Sequence, residues 1–158
     1  ALGKARLVTP AAGCGAVVID SLAAVRTTPL PHETISPALH DMRRRLRAND
    51  GEADDWQLRK RPGGISELDL LVQALRLLNA DLFSNTALPA DRILDRLAEI
   101  GRVTPDDAEA LVAAENLYAD LHHALRFVMG TSTTDPAALS AAARHFICAA
   151  CDSPDIAA

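Results

Sequence analysis

Aromatic side chains are scarce: three Phe, one Tyr and one Trp make up 3% of the chain. Alternating runs of Val, Ile and Thr are scarce too, and both shortages disfavour β-sheet, whose strands draw on those residues. A basic excess is also missing. Sixteen Lys and Arg against 21 Asp and Glu leave a formal net charge of −5, so the chain lacks the positive field with which a general nucleic-acid binder recruits phosphates. Cysteine is limited to three residues, an odd number that fits reduced thiols better than a disulfide framework. No apolar run reaches the ~20 residues that span a bilayer, and the N-terminus lacks the succession of charged, apolar and small residues of a signal peptide. These absences lead us to expect a cytoplasmic protein that binds neither membrane nor nucleic acid.

Alanine and leucine dominate what is present, and both favour helix. A chain of 158 residues suffices for one domain burying roughly 70% of its unfolded surface. The expected fold is all-α, a helical bundle built around two long antiparallel central helices. We divide it into a connector at 1–12, first helices at 13–50, a linker at 51–63, a central bundle at 64–150 and a tail at 151–158. A short helix is expected from about Cys14 to Arg26. After the proline-punctuated loop "TTPLPHETISP", Ser36 and Pro37 read as N-cap and first residue of a helix carrying "ALHDMRRRLRAND". One central helix opens in "RPGGISELDLLVQALRLL" and continues its apolar spacing to Leu82. A shorter helix from about Pro89 to Ile100 ends at Gly101, and Thr104-Pro105 with Asp106 and Asp107 starts the second central helix, which runs to Gly130. Asp135-Pro136 and the final "SPDIAA" read as further helix starts.

Two acids interrupt the first central helix. Glu67 and Asp69 are two apart, so on a helix they project about 200° from each other and cannot hold one metal ion together. Asp69, Gln73 and Arg76, spaced four and three, form one polar stripe. Before the helix, Arg59, Lys60 and Arg61 lead into Pro62-Gly63-Gly64, where two glycines allow positive φ and close backbone approach. Free N–H groups at such a helix start suit an anion such as phosphate. The competing reading is a plain turn with solvated basic residues and Asp69 paired to Arg76 or another buried partner.

"LRKRPGGISELDLLVQALRLL" resembles the segment that opens the helical domain of glutamine synthetase adenylyltransferases, where Lys-x-x-x-Gly-Gly-Ile/Leu-x-Asp/Glu-Ile-Glu-Phe is followed by Gln. Gly63, Gly64, Ile65, Glu67, Asp69 and Gln73 fall on that pattern; Arg59 stands where the family has Lys, Asp69 where it has Glu, and Leu70 where it has Phe. "ALGKARLVTP", "DMRRRLR" and "ILDRLAEIGRVTPDDAEALVAAENLYADLHHALRFVMG" extend the similarity over nearly the whole chain, most closely to the family's C-terminal half.

The resemblance implies a bifunctional enzyme that transfers AMP from ATP to a tyrosine of glutamine synthetase and removes it by phosphorolysis, under control of glutamine and the PII signal protein. It also implies a preceding nucleotidyltransferase domain that holds Mg²⁺ and ATP through clustered carboxylates. The chain contains no such constellation, so the expectation is a helical accessory domain with no catalytic residue, metal or cofactor of its own. Arg59, Gly63, Gly64 and Glu67 would then complete the wall of that domain's nucleotide cleft, with Asp69 and Gln73 fixing the helix from the bundle side. The alternative is a free-standing helical interaction module without catalysis.

Three other features have simpler readings. "CAAC" with His145, Cys148 and Cys151 has the look of a metal or redox site, yet a structural zinc needs four placed ligands; buried small hydrophobes account for the cysteines. His122 and His123 lie on adjacent helix faces, one toward the core and one toward solvent. The basic run Arg43 to Arg47 reads as a solvated face, or as a dock for the missing domain or an acidic partner.

Overall fold

A computed structural model describes residues 14–50, 56–83, 88–129 and 139–154. Among the described residues the fold is all-α: α1 (Gly15–Thr27), α2 (His32–Asp50), α3 (Ile65–Leu78), one turn of 3-10 helix (Ala80–Leu82), α4 (Ala90–Glu99), α5 (Pro105–Met129) and α6 (Ala141–Ala150). The connector at 1–12, residues 51–55 of the linker at 51–63 and the starts expected at Asp135-Pro136 and "SPDIAA" fall outside them, wholly or in part. Helix α6 begins at Ala141, where the Ser140 hydroxyl accepts the Ala143 N–H at 3.2 Å.

The α4–α5 corner follows from local chemistry. Ile93, Leu94 and Leu97 are fully buried, while Asp91, Arg92, Asp95, Arg96 and Glu99 alternate around them at helical spacing, so α4 has one apolar stripe to bury. Gly101 takes φ +71°. Its N–H donates to the Ala98 carbonyl and that of Arg102 to the Leu97 carbonyl, at 3.0 and 2.8 Å, a Schellman ending that satisfies the last carbonyls of α4. Three residues later Thr104 Oγ1 accepts the Asp107 N–H at 3.2 Å and donates to the Asp107 carboxylate at 2.7 Å. That cap launches α5, whose 25 residues run ~37 Å.

Two sequence expectations need correction. Helix α2 starts at His32, and Pro37 lies inside it rather than at its first position. Leu30 donates to the Leu77 carbonyl at 2.9 Å, and Pro31 offers its carbonyl to the N–H groups of Thr34 and Ile35 at 3.0 and 3.1 Å. The first turn therefore forms five residues early, drawn in by buried Ile35, and Pro37 is tolerated near the helix start on the exposed side. Helix α3 is also shorter than its apolar spacing implied. It closes at Leu78 after 14 residues, where the Asn79 side chain donates back to the Leu75 carbonyl at 2.9 Å, and Leu82 belongs to the 3-10 turn.

Packing proceeds in neighbours: α2 against α3, α4 against α5, α6 against α5, and α1 against the 3-10 turn. Helix α3 links two apolar clusters. Val72 joins Ile93, Leu94, Leu97, Phe83 and Ala108, with Leu68 and Leu75 alongside; Ile65 packs against Leu58, Leu125, Leu139 and Ile147. The stripe Asp69, Gln73, Arg76 accordingly runs inward from an exposed acid through a half-buried amide to an arginine only 3% exposed. Burial, then the nearby Arg26 charge, pushes the Arg76 pKa down. Sequence reasoning did not single out Arg26, which is buried as well.

Candidate functional site

The Gly-Gly turn is a backbone device. Gly63 takes φ +75° with open space where a Cβ would stand, whereas a Cβ on Gly64 would collide with the Leu58 carbonyl oxygen and lie 2.9 Å from that of Arg61. One glycine supplies a left-handed turn and the next a close approach of backbone to backbone. Gly64 donates to the Arg61 carbonyl and Ile65 to the Leu58 carbonyl, both at 2.9 Å. Gly63 donates to Glu67 Oε2 at 3.3 Å. These three N–H groups, the phosphate cradle expected from sequence, are committed within the chain, and the anion at this helix start is the carboxylate of Glu67.

Glu67 gathers more than that amide. Arg47 Nε lies 2.7 Å from Oε1 and Arg43 Nε 3.0 Å from Oε2. The carboxylate is 12% exposed, and the two arginine side chains are about half exposed. Arg43 and Arg47 are four apart, so they share one face of α2, and Glu67 at the third position of α3 reaches both while closing its own helix start. The Arg47 hydrogen bond holds the Glu67 carboxyl below its usual pKa against the opposing effect of burial, and Gly63 and Arg43 reinforce it. The basic run is therefore not simply a solvated face. Arg43 and Arg47 clamp α2 onto the Gly-Gly turn, while Arg44 and Arg45 pair with Asp41 on their own helix.

The sequence-predicted residues lie on two sides of α3. Gly63 and Glu67 line a groove of about 300 Å³ with Leu39, Arg43, Leu70 and Leu111. Arg59 and Asp69 line another, of about 190 Å³, between α3 and α5, where Glu115, Tyr118, His122 and His123 face them over a floor that includes Ile65 and Val72. Gly64 is buried beneath the turn and Gln73 half-buried further along α3. Arg59 and Glu67 thus border different grooves rather than one. Burial depresses the His122 pKa first, and the charges of Arg59, Arg126 and His123 act in the same direction.

The histidine rings stand 6.3 Å apart. His122 is half-buried and His123 exposed, as their adjacent positions implied. Among the described residues no three His, Cys, Asp or Glu side chains are placed to hold a metal ion. Cys148 and Cys151 are half-buried rather than buried, and Cys14 is exposed. Burial, Asp120 and Cys148 raise the Cys151 pKa, which disfavours its thiolate. No described helix is long and apolar enough to cross a membrane.

The family described as GlnD PII-uridylyltransferase matches residues 38–138, a span that holds the α2 arginines, the Gly-Gly turn, Glu67 and both grooves. The chain belongs to that family. Individual relatives carry a second name. A bifunctional glutamine synthetase adenylyltransferase/adenylyl-removing enzyme of Xanthobacter autotrophicus is 32% identical over 156 residues, covering 98% of this chain and 16% of the relative. The enzyme of that name from Bradyrhizobium diazoefficiens is 34% identical over 130 residues, covering 80% of the chain and 13% of the relative, and that from Rhodopseudomonas palustris strain TIE-1 is 31% identical over the same length. The chain thus spans about a sixth or less of these relatives. No solved structure gives a significant match. In this chain the part-buried carboxylate of Glu67 at the helix start joins two arginines and a backbone amide, and sequence reasoning found it without its two arginine partners.

Proposed function

We propose that the chain is the helical accessory domain of a bifunctional enzyme that adds AMP to glutamine synthetase and removes it. The similarity of 98% of the chain to a relative of that name carries this reading. The family name and the relatives' names point to different nucleotides and different target proteins, but both denote nucleotidyl transfer. The adenylyl assignment is preferred because relatives bearing it match the chain outside 38–138 as well.

In this reading a preceding nucleotidyltransferase domain supplies the chemistry and binds ATP and Mg²⁺. The described residues do not fit as holders of those groups: Glu67 is already committed to two arginines and a backbone amide, and the Gly-Gly amides are used. The chain contributes a rigid turn instead. The clamp fixes the Gly63-Gly64 turn relative to α2 and α3, so that this end of the bundle forms a firm wall for the adjoining domain. Glutamine synthetase and the PII signal protein are the proposed partners, and the cytoplasm the proposed compartment.

The test is to purify the native polypeptide that carries this sequence and incubate it with glutamine synthetase, ATP and Mg²⁺. The reading expects AMP on a glutamine synthetase tyrosine, seen by peptide mass. Transfer of UMP to a PII protein from UTP, with no AMP transfer, would replace it with the activity in the family's name.

A further inference from the structure

Two helical stripes face each other across the groove between α3 and α5. Ile65, Leu68 and Val72 on α3 and Tyr118, Ala119 and His122 on α5 line it, each set at three- or four-residue steps. The helices run antiparallel, since Ile65 packs in the cluster of Tyr118 and Leu121 while Val72 packs in that of Leu111 and Val112. Arg59, in the turn before α3, therefore closes the groove at the His122 end, and Glu115 stands two turns back along α5, ~10 Å away. The Arg59 end is basic. Every charge that acts on His122 is cationic: Arg59, Arg126 and His123. The Arg59 side chain makes no hydrogen bond or ion pair with a described residue, whereas Arg43 in the groove on the other side of α3 is neutralised by Glu67. Asp69 and Glu115 have partners of their own. An unmatched guanidinium and two imidazoles above an apolar floor, in a chain of net charge −5, are complementary to a carboxylate on an aliphatic stem. The guanidinium offers a two-pronged hold on a carboxylate, half-buried His122 offers a ring N–H, and the floor takes the stem.

We propose that the Arg59 end of the α3–α5 groove is a docking site for an acidic side chain, a Glu or Asp beside an aliphatic residue, presented by another domain of the same polypeptide. The proposal rests on the reading above that the chain is part of a longer enzyme. The groove's volume of about 190 Å³ lies below the ~300–1,000 Å³ of pockets that enclose whole ligands, and suits a side chain better than a nucleotide. An inorganic anion would leave the apolar floor uncovered. The matched segment is 16% of the Xanthobacter relative, so a polypeptide of that kind has ample further chain to supply the acid.

The test is Arg59→Lys in the native full-length polypeptide, which keeps the charge and supplies an amine, followed by a carbodiimide that joins amines to carboxylates in contact. Peptide masses should show the peptide containing position 59 joined to an acidic segment from outside the 158-residue chain, at a yield unchanged by about tenfold dilution. The parent protein, whose adjacent amine is the exposed Lys60, should give a product with that segment at least about fivefold less. A product joining position 59 to Asp69, Glu115 or the acids of residues 51–55 would mean that the chain satisfies this end of the groove itself. A product of doubled mass that is lost on dilution would assign the site to a second copy. No product from position 59, with other lysines of the sample coupled, would leave the groove without an acidic occupant. Each of these three results overturns the proposal. Failure of the enzyme reading is told apart by the transfer assay: the cross-link without nucleotidyl transfer keeps the docking site, and transfer without the cross-link keeps only the enzyme.

Discussion

Glu67 accepts hydrogen bonds from the side chains of Arg43 and Arg47 and from the Gly63 amide, so one carboxylate ties two helices and a turn. Replacing it by Gln keeps the shape and removes the charge. The expected loss is about 1–3 kcal/mol near neutral pH, measured by urea unfolding; an unchanged midpoint would remove the clamp from the account. Its pH dependence has a definite sign. Because the folded-state pKa lies below the ordinary 4.5, the contribution is complete above that value and lost as pH falls through the lowered one. Glu67→Gln should therefore converge on the parent protein in acid. The two glycines separate by a similar comparison. Gly63→Ala meets open space and costs only its left-handed φ, about 1 kcal/mol, whereas Gly64→Ala drives a Cβ into the Leu58 carbonyl and should cost clearly more in the same titration. The glycines and Glu67 were legible because turn and helix-start chemistry is local. Arg43 and Arg47 were not, since only the packing of α2 on α3 brings residues 24 and 20 positions away to the carboxylate.

Helix ends divide along the same line. Gly101 after α4 and Thr104 before α5 stand where the sequence placed them, because a C-cap and an N-cap depend on neighbours within a few residues. Thr104→Ala should lower the melting temperature through a loss of about 1 kcal/mol, and an unchanged melting temperature would contradict the cap seen at Thr104 Oγ1. The start of α2 went unread for the opposite reason. Its first turn is fixed by Leu30 bonding the Leu77 carbonyl far along the chain and by burial of Ile35, so local proline rules pointed to Pro37 instead. The early end of α3 is similar, since apolar spacing continues to Leu82 while the backbone has already tightened into a 3-10 turn.

Across the molecule, α3 binds two apolar clusters into one bundle, with the Gly-Gly turn beside Leu58 and Ile65 of the second. Leu97 is fully buried in the first, and Leu97→Ala should cost about 2–5 kcal/mol by chemical denaturation; a loss below 1 kcal/mol would mean that α4 does not carry that core. The all-α class was legible in composition, and the family in the residues of the Gly-Gly segment. The two-groove arrangement was not, because it depends on which side of α3 meets α5 and which meets α2. The central claim is that this bundle serves as one domain of a larger nucleotidyl-transferring enzyme. The most direct test is the size of the native polypeptide, by immunoblot of source cells with an antibody raised against this chain. The account predicts a band several times larger than 16.8 kDa; a single band at the chain's own mass would contradict it.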